Sequence, residues 1–341
     1  MAKSSRRHSR RPSSEARSAG TGKQLWGLSW SSAAGFTKLS SPDQLAPALA
    51  TEDGLVWVDL EDADHATLQS VAATFGLHPL VTEDIFERNQ RAKVEMTGDI
   101  LHMVMFGLRH GDGITSHELD LVLGQRFLLT AHEAGLGVRS APFIQRDAAH
   151  LDQGPDYILW AIADWLVDDY FPVFDKLGDE IDDLEEQVMR SQNREIVERL
   201  FDVRRDLLAI RHAVNPQREI FNQLTNRDLS LVRPERVVYF RDVYDHLIRL
   251  TDELDSYREL VSTTLDVYLS QINNNLSEIM KRLTGVTAIL ATIAAIAGVF
   301  GMSEAGPAFD FREAAGFWLV TLASVLIAAA VALYFRRRDW I

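Results

Sequence analysis

Two stretches near the C-terminus, Leu283 to Met302 and Ala314 to Phe335, contain no charged side chain. Each is about 20 residues long, enough as a helix rising 1.5 Å per residue to cross about 30 Å of hydrocarbon. Two adjacent spans of this length rarely share one soluble core, so the pair predicts a membrane hairpin. Lys281 and Arg282 precede the first span, and Arg336, Arg337 and Arg338 follow the second. Basic flanks stay in the cytoplasm. The connection, residues 303–313, carries Glu304, Asp310 and Glu313 against Arg312 and is expected on the far side. Both termini are then cytoplasmic, the C-terminus being the basic segment 336–341. Some 280 residues before the hairpin lie on that side too.

That cytoplasmic part is acidic. The 341-residue chain holds 35 basic and 49 acidic side chains, a net charge of −14. Residues 1–23 run the other way, with seven lysines and arginines against Glu15, a net +6. Rich in Ser, Arg and Gly and lacking an apolar run, this segment reads as a disordered basic tail with no secretory signal. Its arginines could touch anionic headgroups. The acidic excess elsewhere disfavours nucleic acid and suits cations. There is no cysteine, so thiolate metal sites, disulfides and cysteine nucleophiles are excluded, and a bound metal must meet oxygen or histidine.

Residues 24–150 read as an α/β domain. Val56, Val58 and Leu60 alternate with Trp57 and Asp59, and Leu101–Leu108 is a second extended run. Glu118–Leu123 and Arg126–Thr130 flank a turn at Gly124-Gln125. Helical spacing appears at Asp64–Phe75 and Pro79–Glu87. Gly135-Leu136-Gly137 lacks the third glycine of a dinucleotide loop, and His132-Glu133 lacks the second histidine of a zinc-protease helix. No nucleophile–base pair or phosphate loop is present at useful spacing, so an enzyme and an organic cofactor are not expected.

Residues 151–234 read as antiparallel acidic and basic helices. Ten carboxylates lie between Asp164 and Glu186. A solvated helix face accounts for most of them, with bound cations or a basic partner as the alternative that would offset their mutual repulsion. A second helix over Ser191–Val214 carries Arg199, Arg204, Arg205 and Arg211. After Pro234 neither Gly nor Pro occurs until Gly285, and apolar residues from Phe240 to Leu283 recur at three- and four-residue steps. A stalk helix over 235–282 can therefore continue into the first span, 283–302. From Glu235 to Phe300 it would measure about 100 Å. Its stripe needs partners beyond the chain's own helices, which points to a homo-oligomer.

The run Tyr239-Phe-Arg-Asp-Val-Tyr-Asp-His246, together with Leu265–Ser270, Met280-Lys281 and Ile296-Ala-Gly-Val-Phe-Gly-Met302, resembles the CorA family of divalent-metal channels. His78-Pro-Leu-Val-Thr-Glu-Asp-Ile85, Val167–Phe171 and the closing Arg-Arg-Arg-Asp-Trp340 extend the likeness to nearly everything after the tail. The resemblance implies an α+β membrane protein: an N-terminal α/β/α cytoplasmic domain, a long stalk helix running into a two-helix transmembrane hairpin, and assembly as a homopentamer in the cell inner (plasma) membrane. The first span would line the pore, and the second, 314–335, would form an outer ring.

The family's pore-mouth triplet is Gly-Met-Asn, whereas this chain has Gly301-Met302-Ser303. Magnesium gives up its waters reluctantly, so a ring of asparagine carbonyls can accept hydrogen bonds from a hydrated ion. Serine also accepts, on a shorter side chain, and leaves a wider mouth. By the resemblance, a polar ring near the cytoplasmic end corresponds to Ser277, the apolar constrictions to Met280 and Leu283, and a mid-pore hydroxyl to Ala294, while Thr292 replaces a proline. Glu304, Asp310 and Glu313 would attract cations to the mouth. The resemblance further implies a regulatory divalent ion between neighbouring subunits, held by Asp84 of one and Asp242 of the next. Bound Mg2+ would cancel carboxylate repulsion and favour the closed bundle; its loss would open the constriction. The expected function is uptake of Mg2+, with Co2+ or Ni2+ as further ions. A zinc transporter of the same fold and a non-conducting metal sensor, in which Ser303 has lost ion capture, are the alternatives.

Overall fold

The computed structural model describes residues 25–111, 113–140, 142, 148–191, 193–226, 229–303 and 313–337. The basic tail 1–23 therefore lies outside the described residues. The chain divides into two compact units, the first containing residues up to Glu180 together with Asp202–Arg258, the second Ile181–Phe201 with Glu259–Ile341.

The first unit is organised by a seven-stranded sheet of order β2-β1-β3-β7-β6-β5-β4. Its strands are β1 (Leu25–Ser31), β2 (Gly35–Leu39), β3 (Leu55–Glu61), β4 (Lys93–Thr97), β5 (Ile100–Gly111), β6 (Gly113–Leu123) and β7 (Phe127–His132). Among the described residues only β3 and β7 pair in parallel. The β6–β7 hairpin turns through the expected Gly124-Gln125, closed by the Gly124 N–H donating to the Phe127 carbonyl at 2.9 Å. The N-terminal hairpin β1–β2 and the edge strand β4 were not legible beforehand. In β1 the buried alternate positions are Leu25, Gly27, Ser29 and Ser31, three of them too small or polar to mark an apolar face.

Helices cover both faces of the sheet. On one lie α1 (Leu45–Ala50), α2 (His65–Phe75) and α3 (Pro79–Glu87), where Leu68, Val71, Phe75, Val81 and Ile85 join Val58, Leu60, Val122 and Leu129 in one core. On the other, α4 (Pro155–Asp168) packs against β3, β5, β6 and β7. Caps explain the sharp helix ends. Asp64 accepts the Thr67 N–H at 2.7 Å to start α2, and Gly76 ends it with a φ of 67°, a left-handed conformation in which a side chain is strained. His78 caps α3, whose first residue is proline.

Charge is also buried within the sheet. Asp59 on β3 is fully enclosed and accepts from Thr130 Oγ1 at 2.5 Å and Arg139 Nε at 2.7 Å. His132 Nε2 stands 3.2 Å from Asp59 Oδ1, at ion-pair distance without hydrogen-bond alignment. Burial pushes the Asp59 carboxyl up, but the neighbouring His132 imidazole and the bonds from Thr130 and Arg139 outweigh that and hold it below the usual range. The His132 imidazole is pulled down by burial and, on balance, raised by Asp59 together with the Glu133 carbonyl and Glu61.

Four longer helices follow: α5 (Phe171–Arg190), α6 (Arg194–Asn226), α7 (Val237–Ser303) and α8 (Glu313–Arg337). In α5 Val173, Phe174, Leu177, Ile181, Leu184 and Val188 are buried, while Asp175, Asp179, Asp182, Asp183 and Glu186 are not. Most of the acidic run is thus a solvated face. The basic helix extends well past Val214, through Pro216 to Asn226. Proline removes one helical donor, but the next residue, Gln217, is fully buried and ties the helix down by donating Nε2 to Ala213 O and to Tyr170 Oη, both at 2.9 Å. Ile220, Phe221 and Leu224 continue the buried stripe beyond the proline.

The second unit has a small core of Ile181, Leu184, Val188, Ile196, Leu200, Val261 and Tyr268, with Thr264 Oγ1 donating to Glu185 Oε1 at 3.0 Å. From Asn273 to Leu290 no side-chain-bearing residue of α7 is buried. Among the described residues, one helical region, Pro234–Ile296, is long and apolar enough to cross a membrane.

Candidate functional site

The expected regulatory carboxylates sit on α3 and α7. Proline at the start of α3 and the His78 cap fix its first turn, and Arg88, at φ 47°, ends it by donating its N–H to the Asp84 carbonyl at 3.1 Å. The Asp84 side chain is engaged at both oxygens: Gln90 Nε2 donates to Oδ1 at 3.0 Å, and Lys93 Nζ donates to Oδ2 at 2.8 Å.

Asp242 is exposed on α7, one helical turn before His246. Residues four apart share a helix face. This pair meets Asp164 of α4, and one ligand atom from each of the three lies within 4.8 Å of the others. Asp84 is not a member of that group. Behind it, His246 Nδ1 stands 3.3 Å from Asp168 Oδ1, the ring packs edge-on against Phe171, and Arg249 lies over the other ring at 4.4 Å. Asp168 in turn is one turn beyond Asp164 on α4, so two carboxylates at helical spacing face two α7 side chains.

Two carboxylates and an imidazole suit a divalent cation. Donors opposed across Mg2+ stand about 4 Å apart, so a 4.8 Å cluster could take the ion after a small closure or through bound water. Oxygen donors suit Mg2+, whereas the imidazole also admits Co2+, Ni2+ or Zn2+. Of this group the sequence reading had named only Asp242 as a metal ligand, and not Asp164 or His246. The signal available for them was the four-residue spacing Asp242/His246 and Asp164/Asp168.

The expected pore residues lie along the distal half of α7. Ser277 donates Oγ to the Asn273 carbonyl at 2.8 Å, and Thr292 does the same to Ala288. Both hydroxyls are therefore satisfied by their own helix. Met280, Leu283 and Ala294 are exposed in the single chain. Gly301, Met302 and Ser303 form the last residues of α7 and Glu313 the first of α8, but their side chains lie outside the described residues, as do Glu304 and Asp310 altogether.

Residues 52–337 match the family described as CorA-like Mg2+ transporter protein. The cobalt/magnesium transport protein CorA of Thermotoga maritima is 34% identical over 297 residues, covering 84% of this chain and 83% of that protein. The putative metal ion transporter YfjQ of Bacillus subtilis is 30% identical over 295 residues, covering 83% and 89%. The fold is similar to the complete structure of the CorA magnesium transporter from Methanocaldococcus jannaschii, with a TM-score of 0.78 at 24% identity, over 93% of this chain and 98% of that one. A match over most of the length, with a relative above 30% identity, places the α/β domain and the long α7 helix in one lineage: this chain belongs to the CorA family of metal-ion transport proteins.

Proposed function

We propose that the chain is a homopentameric channel of the inner (plasma) membrane that takes up Mg2+, and Co2+ or Ni2+ less selectively, under the control of cytoplasmic metal. The observation that carries this reading is the single 67-residue helix α7. It bears the Asp242–His246 donors in its first turns and ends on Gly301-Met302-Ser303. The same helix thus carries the proposed cation-responsive position and the proposed pore mouth.

In this reading residues 283–302 line the pore, 303–313 form the outer loop, 314–335 are the second span, and both ends of the chain are cytoplasmic. The exposed Leu276, Ile279, Met280, Leu283, Val286 and Leu290 support burial of this face against other copies and lipid. A ring of Ser303 hydroxyls would accept hydrogen bonds from a hydrated ion, with Glu304, Asp310 and Glu313 raising the local cation concentration. Met280 and Leu283 would form the apolar constriction, with Ser277 on its cytoplasmic side and Ala294 within the span.

Asp84 of one subunit and Asp242 of the next, with Asp164 and His246 beside Asp242, would hold a Mg2+ ion whose charge would offset carboxylate repulsion and keep the constriction closed. Loss of the ion shifts the population to the open state by as much as the two states differ in metal affinity. The ion is cargo and regulator; no organic cofactor or catalytic residue is invoked. Fluorescent-indicator uptake into proteoliposomes tests the reading. Native protein should admit Mg2+ under an inside-negative potential, and Ser303→Asn should admit it with greater discrimination against Co2+. Uptake of Zn2+ without Mg2+, or no uptake until Ser303 is replaced, contradicts it.

A further inference from the structure

We propose that Lys93 is a tethered ammonium that holds the Asp84 carboxylate whenever no divalent cation does, so that metal fills this position only by displacing Lys93 onto Glu95. The inference rests on the regulatory role given to Asp84 above.

Three observations carry it. Lys93 Nζ lies 2.8 Å from Asp84 Oδ2 and 3.1 Å from Glu95 Oε2, so one ammonium is shared by two carboxylates. The Lys93 and Asp84 side chains are 23% and 27% exposed, whereas Glu95 is 58% exposed. The Asp84 contact is therefore the better shielded of the two, and Glu95 is the one that water can replace. Finally, Lys93 and Glu95 are alternate residues of the edge strand β4 and share a sheet face. A rotation about the lysine stem exchanges partners without moving the strand.

The consequence is competition. A divalent ion cannot bind Asp84 Oδ2 with an ammonium at hydrogen-bond distance, because the two cations repel and claim the same oxygen. Once displaced, Lys93 keeps Glu95 as partner and is not stranded, which keeps the exchange reversible. Burial pulls the Lys93 amine down, and its hydrogen bonds with Asp84 and Glu95 pull it up by more. Lys93 thereby sets the cytoplasmic metal concentration at which the site fills, and Glu95 lowers that threshold by receiving it.

Limited proteolysis of the full chain in detergent, titrated with Mg2+, tests this. Lys93→Gln should lower the Mg2+ midpoint for protection about fivefold, the size of one partly shielded charge-assisted contact, and Glu95→Gln should raise it about threefold. Arg91→Gln removes an equal charge from the same segment and should shift the midpoint by less than half as much. Equal shifts for Arg91→Gln and Lys93→Gln, or no shift for Lys93→Gln while Asp242→Asn abolishes protection, would overturn the role of Lys93 and leave the regulatory reading standing. Protection unchanged in both Asp84→Asn and Asp242→Asn would remove the regulatory reading and this proposal with it. If Lys93→Gln does not fold, Glu95→Gln alone gives the sign: a raised midpoint supports the exchange, and an unchanged or lowered one overturns it.

Discussion

Glu118, on β6, is buried with Oε1 lacking a hydrogen-bond partner among the described residues, and its carboxyl is pushed from 4.5 up to about 7. Burial is the main cause and the neighbouring Asp120 charge the next; Glu133 adds to them, while the Gln90 backbone N–H and Arg88 pull the other way. Asp120 itself pairs with buried His102 at 2.8 Å. Because the folded carboxyl binds its proton more tightly than the unfolded one, the stability it contributes is complete below 4.5 and is lost as pH rises to about 7. Glu118→Gln, which keeps the neutral form at all pH, should remove that decline from thermal unfolding of the protein in detergent. An unchanged slope between those pH values would show that Glu118 does not titrate there. Nothing in the sequence marked this residue. Glu118 and Asp120 lie in a segment recognised as a strand, but which face of it meets the core depends on the pairing with β5, a non-local fact. Lys93 was hidden for the same reason, nine positions from the aspartate it holds.

At the level of elements, local chemistry was the better guide. The limits of α2 and α3 follow from Asp64, Gly76, His78 and Pro79, each acting within a turn. The basic helix was misjudged at Pro216 because the compensating bonds of Gln217 come partly from Tyr170, 47 residues away. The α7 stripe behaves as its spacing implied, covered in part by the chain itself. Phe240, Val243, Leu247, Leu250 and Leu254 are fully buried, whereas Leu276 and Ile279 are more than half exposed. Leu250→Ala should therefore destabilise the folded chain by about 2–5 kcal/mol. Leu276→Ala and Ile279→Ala should leave thermal stability of the protomer nearly unchanged and weaken self-association, read by sedimentation in detergent. Equal destabilisation at both ends of the stripe would contradict the division.

For the whole molecule, the fold class was legible because three signals of different period, strand alternation, a helical stripe and charge-free spans, occur in sequence along one chain. The proposed cation chemistry was legible only in part. A chain without cysteine and with a net charge of −14 points to oxygen donors, and the resemblance pointed to Asp84 and Asp242. The grouping of Asp242 with Asp164 and His246 needed the packing of α4 against α7. In the proposed mechanism, cytoplasmic metal closes a Mg2+ channel through these carboxylates. Its most direct test is Mg2+ flux through proteoliposomes in which the cytoplasmic face meets a controlled Mg2+ concentration, compared for the native chain and Asp242→Lys. Native flux should rise several-fold as that Mg2+ is chelated, and the variant, carrying its own cation, should stay closed at every concentration. Native flux indifferent to cytoplasmic Mg2+, or a variant that follows it as the native chain does, would contradict the account.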